Sequence, residues 1–86
     1  MEQELQEQQE QAVEEIARWM LDELKSAGKL HQDQAVSHIR EQYGDSFVYV
    51  NENGNVSIDK AVKKRFKKLH GGRAAWERDG FFWAWV

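Results

Sequence analysis

The chain contains no cysteine and no proline. Without cysteine it can hold neither a disulfide nor a thiolate-bound metal, a composition that fits a reducing cytoplasm. Without proline there is no rigid hinge to divide it into segments. No apolar run approaches the roughly 20 residues that span a bilayer. The N-terminus, Met1-Glu2-Gln3-Glu4-Leu5-Gln6-Glu7, is neither basic nor apolar, unlike a secretory leader. The expectation is a soluble cytoplasmic protein. Catalytic signatures are also missing. There is no Gly-x-Ser-x-Gly elbow, no phosphate-binding glycine loop and no cysteine nucleophile. A chain of 86 residues makes one small domain with little room for a substrate pocket. No enzyme and no cofactor is expected.

What the chain does have is concentrated at its C-terminus. Residues 76–86 hold three of the four tryptophans, two of the four phenylalanines and an Asp-Gly pair. Asp-Gly favours a tight hairpin turn, because a type I′ turn needs positive φ at both central residues. A turn at Asp79-Gly80 pairs Arg78 with Phe81, Glu77 with Phe82 and Trp76 with Trp83. Opposed residues share a face, so Trp76, Phe81, Trp83 and Trp85 are expected on one buried side of the ribbon.

The remaining elements follow from periodicity and caps. Residues 1–11 are nearly all Glu and Gln, so they read as a frayed extension to a single domain over 12–86. From Val13, a helical stripe runs through Ile16, Ala17, Met20, Leu21, Leu24 and Ala27, and Gly28 ends it. Trp19 lies off the stripe, at the edge of the expected core. Leu30 is placed in a one-residue bridge. A second helix is expected from Gln32 or Asp33 to Tyr43, with Ala35, Val36, Ile39 and Tyr43 facing inward and Gly44 after it. Phe47-Val48-Tyr49-Val50 and Val56-Ser57-Ile58 flank an Asn53-Gly54 turn and read as a second hairpin. Asp59 is a natural N-cap for a third helix, Lys60 to His70, whose apolar stripe is Val62, Phe66 and Leu69.

This order predicts an α+β, winged-helix-like fold. It has three helices, an Asn-Gly hairpin inserted between the second and third, and a C-terminal two-stranded wing. Three segments carry a family likeness: Ala17-Arg18-Trp19-Met20-Leu21, Phe47-Val48-Tyr49-Val50-Asn51-Glu52-Asn53-Gly54-Asn55, and Trp76-Glu77-Arg78 followed by Trp83. Across about residues 13–85, the chain resembles a family of small, functionally uncharacterised bacterial winged-helix-like proteins. The resemblance implies the fold and brings no catalytic or ligand-binding residue with it.

Charge is distributed unevenly. Residues 1–45 carry a net −7 and residues 46–86 a net +4, within an overall −3. The basic half centres on Lys60, Lys63, Lys64, Lys67 and Lys68, opposite the apolar stripe of the third helix. In a winged helix this is the element that enters a DNA major groove. Lysines neutralise phosphate, whereas base reading needs Arg, Asn or Gln at base edges, so any such binding is expected to be weakly specific. The alternative is a solvated face that complements the acidic first helix. Phe82, Ala84 and Val86 point away from the aromatic face and form an apolar strip suited to a protein partner or to self-association. The aromatic ribbon could also stack on unpaired bases, but core packing is the preferred assignment.

Other constellations dissolve. Asn51-Glu52-Asn53-Gly54-Asn55 suggests a calcium loop, but Tyr49 and Lys60 occupy the two positions that need a ligand. His31 and His38 are too far apart along the chain to share an ion. His70, at a helix C-terminus, would suit the dipole as an imidazolium. No metal site is expected. The reading is a non-catalytic binding or regulatory module, with a protein-interaction role slightly favoured over nucleic-acid binding.

Overall fold

The computed structural model describes residues 2–86, with side chains from Gln9 onward. Helix α1 (Glu2–Ala27) is followed by strand β1 (Lys29–His31), helix α2 (Gln32–Tyr43) and a 3-10 turn (Gly44–Phe47). Strands β2 (Val48–Val50) and β3 (Val56–Ile58) form the inserted hairpin, and α3 (Lys60–His70) comes next. Strands β4 (Ala74–Glu77) and β5 (Phe82–Trp85) end the chain. The expectation of a frayed 1–11 segment falls mainly on positions whose side chains lie outside the described residues. Gln9, Glu10 and Gln11 are exposed on α1.

Local chemistry accounts for most boundaries. Gly28 donates its N–H to the Leu24 carbonyl at 2.7 Å, closing α1. The His31 N–H donates to Gln34 Oε1 at 3.2 Å at the start of α2, which is half of a capping box. Asp59 caps α3 by accepting from the Ala61 N–H at 3.0 Å. Leu30 sits in a three-residue strand rather than a single bridge, because its neighbours also pair with β5. Phe47 belongs to the 3-10 turn instead of β2. Its carbonyl is used by the Asp59 N–H at 2.8 Å.

Two small antiparallel sheets result, one ordered β1-β5-β4 and the other β2-β3. Strand β5 is central in the first, pairing Leu30 with Trp83 on one side and Trp76 with Trp83 on the other. The predicted register Glu77–Phe82 and Trp76–Trp83 is present. The predicted two-residue turn is not. Pairing stops at Glu77–Phe82, so residues 78–81 form a wider loop. Positive φ falls on Phe81, at 52°, while Gly80 is outside that region. Gly80 is needed for space, since a Cβ there would lie 2.4 Å from the Phe82 ring. The first hairpin is also wider than its Asn-Gly pair suggests. Asn51 and Asn55 bond through their backbones at 2.8 Å, and Gly54 alone takes positive φ, at 80°. That is the signature of a three-residue loop with a bulge, not a type I′ turn.

The core unites all three helices with both sheets. Ile16, Ala17, Met20 and Leu24 of α1 meet Ala35, Val36 and Ile39 of α2, Val62 and Phe66 of α3, and Leu30, Ile58 and Trp83 of the strands. Ala27, expected inside, is exposed at the end of α1. Trp19 is half-buried at the core edge and stacks flat on His38, with ring centroids 3.7 Å apart. The aromatic ribbon divides. Trp83 is buried and Trp85 half-buried, but Trp76 and Phe81 keep 42% and 46% of their surface exposed. The expectation that all four are buried is therefore corrected. Strand β4 is the edge strand of its sheet, which leaves Trp76 less covered than Trp83 on the central strand.

Candidate functional site

Helix α3 is anchored on one face by Val62 and Phe66, both buried. Its spacing therefore directs Lys60, Lys64, Lys67 and Lys68 to solvent, while Lys63 is half-buried at the flank. Lys63 Nζ lies 5.9 Å from the centroid of the Tyr49 ring, which orients it toward the inserted hairpin. Three basic residues, Lys67, Lys68 and His70, occupy the last turn, where positive charge complements the helix dipole.

The cationic and acidic halves meet through arginine. Arg65 Nε donates to Glu14 Oε2, and Arg18 Nε donates to Glu14 Oε1 at 2.7 Å. The Arg65 bond, followed by the Arg18 bond, holds the Glu14 carboxyl down at about 2. The same contact raises Arg65. Among the described residues, none of Lys60, Lys63, Lys64, Lys67 and Lys68 forms an ion pair. Lys64 and Lys68 do share an open groove of about 750 Å³ with Glu10 and Glu14.

The other flank of α3 is different. A groove of about 530 Å³ runs between α3, the β2–β3 loop and the C-terminal hairpin. Phe66 and Trp83 contribute to its floor; Lys63, Lys67 and Arg78 supply its fixed cations; Trp76 and Phe81 supply exposed rings. Among the described residues, no carboxylate lines it. Trp76 is held against Trp83, with centroids 4.6 Å apart, and Phe81 sits edge-on to Trp76 at 6.3 Å. Sequence reasoning preferred core packing for Trp76 and Phe81 over the base-stacking alternative, and so did not bring these rings together with the cations beside them. Arg78, between Trp76 and the turn, was the available signal that the tip faces water.

His70 closes one end of this groove. Burial pushes its imidazole below the ordinary value, and Lys67 adds in the same direction. Its Nδ1 accepts the Gly72 N–H at 3.1 Å, and its ring lies 4.9 Å from Phe66. Instead of simply facing solvent at the helix end, the ring caps the Gly-Gly turn through Nδ1. His31 lies 5.3 Å from Phe82, and His38 is occupied with Trp19. Asn51 Oδ1 accepts the N–H groups of Asn53 and Asn55, each at 3.0 Å, so the hairpin loop is tied by its own side chain. Among the described residues, no group of three His, Asp or Glu could hold a metal ion.

Phe82, Ala84 and Val86 do not form a bare apolar strip. Lys29 Nζ lies 4.3 Å from the Phe82 ring centroid, with His31 on the same ring. Ala84 is half-buried opposite Lys29 and Ala75. Val86 is 66% exposed, and Arg73 binds its backbone carbonyl at 2.9 Å. Among the described residues, no helix is long and apolar enough to cross a membrane.

These features define an α+β domain of three helices and two small antiparallel sheets, with a lysine face that forms no ion pair among the described residues beside an aromatic groove. Residues 12–85 match the family of unknown function DUF6953, and the chain belongs to that family. No curated protein and no solved structure matches it.

Proposed function

We propose that this domain is a non-catalytic binding module of winged-helix type whose partner is nucleic acid, held through α3. The fold reading is supported by the β1-β5-β4 sheet, which places the final hairpin beside the strand that joins α1 to α2. In a winged helix, the third helix presents its exposed face to a duplex and the wing touches the backbone beside it. A cytoplasmic location belongs to the same proposal and rests on the cysteine-free composition.

One observation carries the choice of partner. Glu14 of α1 engages both Arg65 and Arg18, and the lysines of α3 are left without an ion pair among the described residues. A face of five lysines next to an acidic helix, yet not consumed by it, is available for phosphate. The competing protein-interaction reading leans on Phe82, Ala84 and Val86. It is weakened by the lysine and histidine that cover Phe82.

Fluorescence anisotropy with mixed-sequence blunt duplexes tests the proposal. Binding is expected at about 50 mM salt, weakening steeply as salt rises because phosphate contacts release counterions. Failure to bind any duplex at that salt would remove the duplex reading of α3.

A further inference from the structure

We infer that the groove between α3, the β2–β3 loop and the C-terminal hairpin takes an unpaired nucleobase with its flanking phosphates, making single-stranded nucleic acid a ligand of this domain. The inference deepens the nucleic-acid reading of α3 and rests on it for the phosphate contacts of Lys63 and Lys67.

The chemistry of the lining selects this occupant. Base stacking needs an exposed aromatic face that stays in place without the ligand. Trp76 provides one: it is 42% exposed yet held against the buried Trp83 at 4.6 Å. Phe81 adds a second ring at 6.3 Å, 46% exposed, on a turn whose carbonyl is fixed by the Gln32 N–H at 2.8 Å. Three cations, Lys63, Lys67 and Arg78, line the groove with these rings, and among the described residues no carboxylate enters the lining to repel a phosphate. Glu77 lies on the opposite face of the hairpin, paired with Phe82. Asn53 at the rim carries an amide with both donor and acceptor atoms, which suits any base edge. Rings inside a cationic frame are the complement of a chain that alternates flat bases with negative phosphates.

An acidic peptide would satisfy the cations but would leave the two rings without a planar partner. That difference defines the test. A fluorescein-labelled oligothymidine of about ten nucleotides and a blunt duplex are titrated separately at about 50 mM salt, with polyglutamate as competitor. Phe81→Asn removes one ring at a left-handed position that Asn tolerates. Arg78→Gln removes one exposed cation, and Trp76→Phe retains a smaller ring. Circular dichroism melts check that each variant is folded.

Oligothymidine is expected to bind wild type, to lose about fivefold or more in affinity with Phe81→Asn, and to lose less with Trp76→Phe. Arg78→Gln is expected to weaken binding and flatten its salt dependence. Duplex binding without oligothymidine binding, or oligothymidine binding unchanged by Phe81→Asn, would overturn the groove and leave α3 intact. Oligothymidine binding with the expected losses but no duplex binding would uphold the groove and remove the duplex reading of α3. Polyglutamate competing as well as an equal length of unlabelled oligothymidine would overturn base stacking in favour of an acidic peptide. Binding of neither nucleic acid would overturn both.

Discussion

The Gln32 side-chain amide donates to the Val56 carbonyl at 2.9 Å, joining the first turn of α2 to the inserted hairpin. The same residue donates its backbone N–H to Phe81 at 2.8 Å, so one buried glutamine ties together the two hairpins that wall the aromatic groove. Gln32→Leu keeps much of the volume but leaves the Val56 carbonyl without its donor. A buried acceptor left without a partner costs about 1–3 kcal/mol, and at this part-buried site the loss falls toward the lower end. Chemical denaturation should show that loss. Oligothymidine affinity should fall as well, because the walls are no longer held in register.

Trp83 is the residue on which the C-terminal sheet turns. It is 8% exposed, pairs with both Leu30 and Trp76, and meets Phe66 edge-on at 5.5 Å. Trp83→Ala is expected to cost about 3–5 kcal/mol. That is comparable to the whole stability of so small a core, and the variant should be largely unfolded at room temperature. A thermal melt within a few degrees of wild type would show that the core lies elsewhere.

The turn at residues 78–81 allows two substitutions of opposite consequence. Gly80→Ala places a methyl where the Phe82 ring already lies, 2.4 Å away, so the hairpin must open or Phe82 must move. Forced overpacking of this kind costs about 1–3 kcal/mol. Phe81→Asn at φ 52° removes a bulky side chain from the left-handed region and should leave the melting temperature level or higher.

Glu14 makes stability depend on acid. Its folded carboxyl is held at about 2, against an ordinary 4.5, chiefly by Arg65. A depressed carboxyl contributes stability that is complete above the unfolded value and disappears as pH falls through the folded one. The loss should therefore develop between about pH 4.5 and pH 2. Arg65→Gln removes the largest cause, so the Glu14 titration, followed by carboxyl NMR, should move upward. The acid limb of the stability curve should become shallower. His70 acts at milder pH: its lowered pKa means that the unfolded chain takes up the proton first. Stability should therefore begin to fall as pH drops through the ordinary histidine range, and His70→Gln should remove that component.

Much of this architecture was legible in the sequence, and the reasons are local. Asp59 as a cap and Gly71 after His70 bracket α3 at its observed limits, because capping is decided within one turn. Glu77–Phe82 and Trp76–Trp83 pairing could be read from hairpin spacing. The turn conformations could not, since a wider loop preserves the same register and depends on tertiary bonds such as Gln32 to Phe81. Likewise, alternation shows which rings share a face but not how far the neighbouring elements extend over it. Trp83 is buried edge-on to Phe66 of α3 while its strand neighbour Trp76 stays 42% exposed, a difference of one strand position that no periodicity records. The lysine face was evident from the third helix alone. That it forms no ion pair with the described residues of α1, while Arg65 reaches Glu14 across 51 residues of chain, could not be read from that helix.

The lysine face has a quantitative signature in salt. If α3 engages about four phosphates, the slope of log affinity against log salt for a blunt duplex should be near −3.6, at about −0.9 per phosphate. Lys64→Gln together with Lys67→Gln removes two exposed cations that make no ion pair among the described residues, so little stability should be lost. The slope should then fall in magnitude to about −1.8. Because lysine point charges carry little base information, the loss should be similar for duplexes of unrelated sequence. Anisotropy titrations across a salt series, for wild type and the double variant, supply both numbers. A slope unchanged by the double substitution would place the duplex on another surface, even if wild type binds tightly.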